Sequence, residues 1–142
     1  KRLADISSEQ RLLEIIYQLS DLENDIKYIY AGMLQGDFAE NKYEIKKETL
    51  GTVLIALEEL DNSDGHPYLS SDEYKLLKNI TRMRNWLVHQ AYTDFVYASE
   101  DELEKEFNKC YAKLKDFNEK MEILGDQVER VRLEVLKYYG RI

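Results

Sequence analysis

Nine consecutive residues, Arg84-Asn85-Trp86-Leu87-Val88-His89-Gln90-Ala91-Tyr92, bring a guanidinium, an amide and one of the chain's two imidazoles within six positions. Imidazole takes up and releases a proton near neutral pH, so His89 is the candidate for proton transfer. A guanidinium holds anionic oxygens in a planar fork, which makes Arg84 the candidate ligand for a developing negative charge. Asn85 can orient a hydroxyl, a water or the imidazole. On a helix, five positions rotate by about 500°, so Arg84 and His89 point about 140° apart, whereas Asn85 lies about 40° from His89. One helix alone therefore makes a poor pocket.

The charge distribution bears on the same stretch. The 142 residues carry a formal net charge of −8, which repels a polyanion at long range. Residues 1–73 hold 7 bases and 16 acids, but residues 74–93 hold four bases (Lys75, Lys78, Arg82, Arg84) and no acid. Lys78 and Arg82 project on the side of Asn85 and His89, so a basic strip and the reactive stretch share one helix face, as an anion site requires. Trp86 flanks it, about 60° from His89, and can either stack on an unpaired base or pack against a neighbour. Competing readings stand beside each assignment. The strip can be a solvated face, His89 a surface or interface histidine, and Arg84 a structural arginine bonded to a carboxylate of the first two helices.

Other chemistries fit less well. His66, His89 and Cys110 are too few and too scattered for zinc, and the chain lacks the two Glu-x-x-His units of a di-iron bundle. Gly32, Gly36 and Gly51 are isolated, so there is no glycine-rich phosphate loop. Cys110 falls on a core stripe and reads as an inert thiol, His66 as a solvated loop residue, and most of the eleven tyrosines as packing residues. No metal and no cofactor are expected.

The elements that must position these residues are helical. With 44% apolar and 34% charged residues, one Pro and six Gly, the chain is too hydrophobic for a disordered tail and too poor in turn formers for a β fold. Residues 8–34 predict a first helix, with Leu12, Ile16, Leu19, Ile26, Ile29 and Met33 at three-and-four spacing and Gly36 as its stop. A second helix is expected at about 42–60, carrying Ile45, Leu50, Val53, Leu54, Leu57 and Leu60. Asp61-Asn62-Ser63-Asp64-Gly65-His66-Pro67 is a loop. Ser70 and Glu73 have capping-box spacing and open a third helix that runs to about Gln90, with Leu76, Ile80, Met83 and Leu87 inward. Residues 91–98 read as an ordered connector, and Ser99 with Glu102 forms a second capping box.

From Leu103 through Phe107, Cys110, Leu114, Phe117, Met121, Leu124, Val128, Val131 and Val135 to Tyr138, steps of four and three alternate over five heptads. A helix over 100–139 would be about 60 Å long against about 40 Å for the first. Two outcomes are open: a break at Gly125-Asp126, with Asp126 and Glu129 capping a fifth helix, or an unbroken overhang. An overhang would need another surface over Val128, Val131 and Val135, favouring dimerisation. The expectation is a single all-α domain over 1–142, a four- to five-helix up-and-down bundle with a long C-terminal helix. No apolar run approaches the roughly 18–20 residues that span a bilayer and no signal segment opens the chain, so membrane insertion and export are disfavoured. A single cysteine fits a reducing cytoplasm.

The pattern R-N-x-x-x-H near the end of a helix in a small, acidic, all-helical bundle resembles the HEPN superfamily, many of whose members are metal-independent ribonucleases of toxin–antitoxin, abortive-infection and phage-defence systems. The likeness covers the bundle in outline, and only residues 84–92 are motif-specific. The resemblance implies a dimer, homodimeric or with a related chain, in which motifs from two protomers meet around the scissile phosphate. His89 would then transfer the proton in 2′-hydroxyl attack, Arg84 would stabilise the phosphorane, and Asn85 would orient the groups. Lys78, Arg82 and Trp86 would bind RNA, and the products would be a 2′,3′-cyclic phosphate and a 5′-hydroxyl. It also implies a nucleotidyltransferase-like antitoxin or other regulatory protein as partner, with Tyr92 the nearest tyrosine for modification, in a longer motif matched only in part. Other members of the superfamily are non-catalytic dimerising or binding modules, the alternative reading here.

Overall fold

The computed structural model describes residues 8–90 and 98–142. Among them are five helices and no strand: α1 (Ser8–Met33), α2 (Phe38–Lys46), α3 (Leu50–Asn62), α4 (Ser71–Gln90) and α5 (Glu100–Tyr138). The all-helical reading holds. The connector reading and Tyr92 lie outside the described residues.

The segment expected as one helix over 42–60 is two. Lys47-Glu48-Thr49 interrupts it, and Thr49 starts a new helix by accepting the Thr52 N–H on its hydroxyl at 3.2 Å. The physical reason is visible in the spacing: Ile45 to Leu50 is a step of five, which a single helix cannot keep on one face. Asp37 caps α2 in the same way through the Glu40 N–H, at 3.0 Å. The Ser70–Glu73 capping box is formed reciprocally, with Glu73 N–H on the serine hydroxyl at 3.1 Å and Ser70 N–H on the Glu73 carboxylate at 2.8 Å. Ser99 departs from expectation: it is the N-cap of α5, but its side chain makes no capping bond.

α5 is unbroken through Gly125, so no fifth helix starts at Asp126. The valines expected to overhang are nevertheless buried. α1 and α5 run parallel, as Arg11 over Tyr111, Asp25 on Arg132, and Gly32 against Leu136 establish along their lengths. α1 thereby lies along the C-terminal two-thirds of α5 and covers Val128, Val131 and Val135. The heptad seam is consumed inside one chain, and dimerisation through it is not required. It ends at Val135, because Tyr138 is exposed.

The α1 stripe that meets this seam is Leu12, Ile15, Leu19, Leu22, Ile26 and Ile29, all buried. Ile16, expected inward, is exposed, and Ile15 replaces it. The strict three-four alternation of Ile15 and Leu22 matches the rhythm of α5, which a step from 12 to 16 does not. Where the helices end together they approach closely: a Cβ at Gly32 would lie 2.6 Å from a Leu136 methyl. Arg141 then donates to the carbonyls of Gly32 (3.2 Å) and Leu34 (2.7 Å), and Asn41 to that of Ala31 (3.2 Å). These satisfy carbonyls that the end of a helix leaves without partners.

α3 and α4 are antiparallel, joined by Lys78–Glu58 at 2.6 Å and by Asp61 at the end of α3. Asp61 is buried and accepts three bonds, from Tyr68 N–H (2.9 Å), Leu69 N–H (3.1 Å) and the Tyr74 hydroxyl (2.7 Å). It thus ties the 63–70 loop to α4. No described helix is long and apolar enough to cross a membrane.

Candidate functional site

Residues 84–89 lie within the last two turns of α4, in one uninterrupted helix, so the angular separations argued from the sequence apply. Five residues of rise put His89 about 7.5 Å further along the axis than Arg84. Arg84 and Asn85 line a cavity of about 370 Å³ whose other walls include Thr81, Lys27, Lys47 and the start of α3. His89 is exposed and outside that wall. A single copy of the chain thus brings Arg84 and Asn85 together and leaves His89 exposed in the last turn of α4, beside Val88, which is exposed although it continues the inward stripe of Leu77 and Thr81.

Arg84 leans on α1. Its Nη2 is 3.3 Å from Glu23 Oε1, with about a third of the arginine side chain still exposed. A guanidinium has five donors and this contact uses one nitrogen, so the ion pair fixes the plane of the fork while leaving other N–H groups for an anion. The same bond is what the structural reading of Arg84 requires.

Two of the three expected RNA-binding residues, Lys78 and Trp86, are engaged within the bundle. Lys78 bonds to Glu58 of α3. Arg82 donates to Asn79 on its own helix at 2.8 Å and is otherwise outward. Trp86 is half-buried against the core on the α5 side, with Lys113 Nζ 4.1 Å from its ring centroid. Half the positive charge of the strip is therefore met by a carboxylate. Missed by sequence reasoning were Lys27 and Lys47, which reach the cavity from α1 and from the turn after α2. They belong to the acidic first half of the chain, and no local charge count separates them from their surroundings.

A second polar groove, about 600 Å³, opens between α1 and α5 and holds Asp21, Asp25, Glu122, Asp126 and Glu129 with Arg132. Burial pushes the Asp25 carboxyl above the usual carboxylate range, opposed by the Arg132 guanidinium 3.3 Å away. Among the described residues no three His, Cys, Asp or Glu side chains are placed to hold a metal ion.

Cys110 is buried on the α5 seam, and burial pushes its thiol up to about 11, with Lys113 pulling weakly the other way. At pH 8 it is protonated and enclosed, so it is no nucleophile. Iodoacetamide at pH 8 is expected to leave the native protein unlabelled over an hour and to label it fully in denaturing urea. Rapid native labelling would show that the seam opens. Because the folded thiol binds its proton more tightly than the unfolded one, the associated stability is present below about pH 9 and is lost as pH rises towards 11.

Comparison of the chain with protein-family models, with curated proteins and with solved structures gives no match.

Proposed function

We propose that this chain is a HEPN-type endoribonuclease, cutting RNA without a metal ion as a dimer in a prokaryotic toxin–antitoxin or abortive-infection system. The observation that carries the reading is the split at the end of α4, where Arg84 and Asn85 face a polar cavity and His89 stands exposed beyond it. Such a half-site becomes complete when a second copy supplies its own histidine across the gap. In the reaction one imidazole takes the 2′-hydroxyl proton as the 2′-oxygen bonds to phosphorus. The bond from phosphorus to the 5′-oxygen breaks, and that oxygen leaves with a proton from the partner's imidazole. Arg84 stabilises the charge on the non-bridging oxygens. Asn85 orients the ribose, and Tyr92 is the residue a nucleotidyltransferase-like antitoxin would modify.

A second reading, a non-catalytic HEPN-like interaction module, is favoured by one specific observation: Arg84 already has a carboxylate partner in Glu23. The deciding experiment incubates wild type and Arg84→Ala/His89→Ala with mixed RNA in EDTA and analyses the fragment ends. Cleavage by wild type alone, leaving cyclic phosphates, is expected. Intact RNA with a folded, dimeric wild type would leave the interaction module as the function.

A further inference from the structure

The cavity beside Arg84 does not end there. It shares Glu23 and Lys27 with a larger groove, about 690 Å³, between α1 and α2. The larger groove adds Lys42, Lys46, Tyr28, Tyr43 and Asn24. Together the two hold five cations, Lys27, Lys42, Lys46, Lys47 and Arg84, against the acids Glu23 and Glu48, a balance of +3 within a chain of −8. Glu44, which reaches Lys47 at 3.6 Å, lowers it to +2. Four of the seven bases in the acidic first half converge on this one surface.

Three of these four ammonium groups are positioned without being neutralised, Lys47 being the one that meets a carboxylate. Lys42 Nζ sits 4.4 Å from the Phe38 ring centroid and 5.3 Å from that of Tyr28, and Lys27 donates to the Lys46 carbonyl at 3.3 Å. Among the described residues, Lys27, Lys42 and Lys46 have no carboxylate within ion-pair distance. A cation over an aromatic face keeps its full charge for a third group. Interleaved with the lysines are two exposed rings, Tyr28 and Tyr43, the latter 64% exposed with Lys47 Nζ 4.2 Å from its centroid. The acidic groove adjoins this one, with Asn24 and Tyr28 lining both, while Asp25 and Lys27 leave α1 about 160° apart.

We infer that the α1–α2 groove is the track for single-stranded RNA, delivering the strand along Lys42, Lys46 and Lys27 to Arg84 and Asn85. Alternating cations and exposed aromatic rings suit a strand whose phosphates need neutralising and whose bases are unstacked. A duplex would present phosphates but no free base faces to Tyr28 and Tyr43. The amides of Asn24 and Asn85 supply hydrogen bonds to base edges or ribose at either end of the track. This assignment of the binding surface rests on the ribonuclease reading.

The test uses a fluorescent 2′-O-methyl single-stranded oligonucleotide, which cannot be cut, and reads binding by anisotropy over a salt series. The proteins are wild type, Lys42→Ala/Lys46→Ala, Tyr43→Ala, and the equal-charge control Lys120→Ala/Lys137→Ala on α5, each checked for an unchanged melting temperature. Lys42→Ala/Lys46→Ala is expected to weaken binding at least tenfold and to flatten the log–log salt slope by about 1.4, at roughly 0.7 per phosphate contact. Tyr43→Ala is expected to cost about tenfold. The control should stay within twofold of wild type. Groove variants that bind as tightly as the control, or a wild type that does not bind the oligonucleotide, would overturn the track. Cleavage of unmodified RNA, followed in parallel, separates the two claims. Binding lost in the groove variants with a wild type that never cuts would retain the track and sink the nuclease, whereas groove variants that bind and cut like wild type would do the reverse.

Discussion

Asp61→Ala is expected to lower the free energy of unfolding by about 3 kcal/mol and the melting temperature by about 10 °C, the largest stability effect of any single polar substitution in the bundle. Asp61 is 3% exposed and accepts from two loop N–H groups and the Tyr74 hydroxyl. Alanine removes all three acceptor contacts at once and leaves buried donors facing apolar neighbours, each costing about 1–3 kcal/mol before the loop relaxes. Asp61→Asn keeps one carbonyl acceptor and is expected to lose about half as much. Burial and the Asp61 carboxylate together hold the Tyr74 hydroxyl protonated well above the ordinary tyrosine range, so the network stays closed through neutral pH. Thermal and urea unfolding followed by circular dichroism measure the effect. A midpoint within 2 °C of wild type would mean that the 63–70 loop is not held by this carboxylate.

His89→Ala has the opposite signature. The cleavage rate is expected to fall by about 10³-fold, within the roughly 10²–10⁴ range for removing a proton-transfer group. Stability should hardly move, because His89 is exposed on the last turn of α4. Arg84→Ala differs in a way that the Glu23 contact dictates: it removes the charge at the phosphate and also strips the cation from a carboxylate that is only 17% exposed. It should therefore lose activity and about 1 kcal/mol of stability together, discounted for its own partial exposure. A His89→Ala protein that retains activity while melting several degrees lower would identify the histidine as a structural residue and remove the proton-transfer assignment.

Local order was legible wherever it depends on neighbours a few residues apart. The Ser70–Glu73 box, the seam from Leu103 to Val135 and the confinement of Arg84, Asn85 and His89 to one helix all follow from spacing, because a helix repeats every 3.6 residues whatever it packs against, and the break expected over Asp61–Pro67 falls two residues later, after Asn62, because Asp61 and Asn62 complete α3. Even the interruption at Lys47–Thr49 had a local sign, the five-residue step from Ile45 to Leu50. Asp61 shows the limit. Composition marks it as a loop former, but only the approach of Tyr74 thirteen residues later makes it a buried triple acceptor.

What only tertiary structure decided is which faces meet and in which direction. The sequence by itself determined that Val128, Val131 and Val135 must be covered. That α1 covers them, running parallel to α5, depends on long-range packing that periodicity does not encode. It determined likewise that the chain is acidic with a basic stretch at 74–93. The fold then paired Lys78 and Arg84 with Glu58 and Glu23, and collected Lys27, Lys42, Lys46 and Lys47 on another surface. Charge is a local property of the chain, but the field at a groove is a sum over helices, and that sum exists only once the helices have chosen their neighbours.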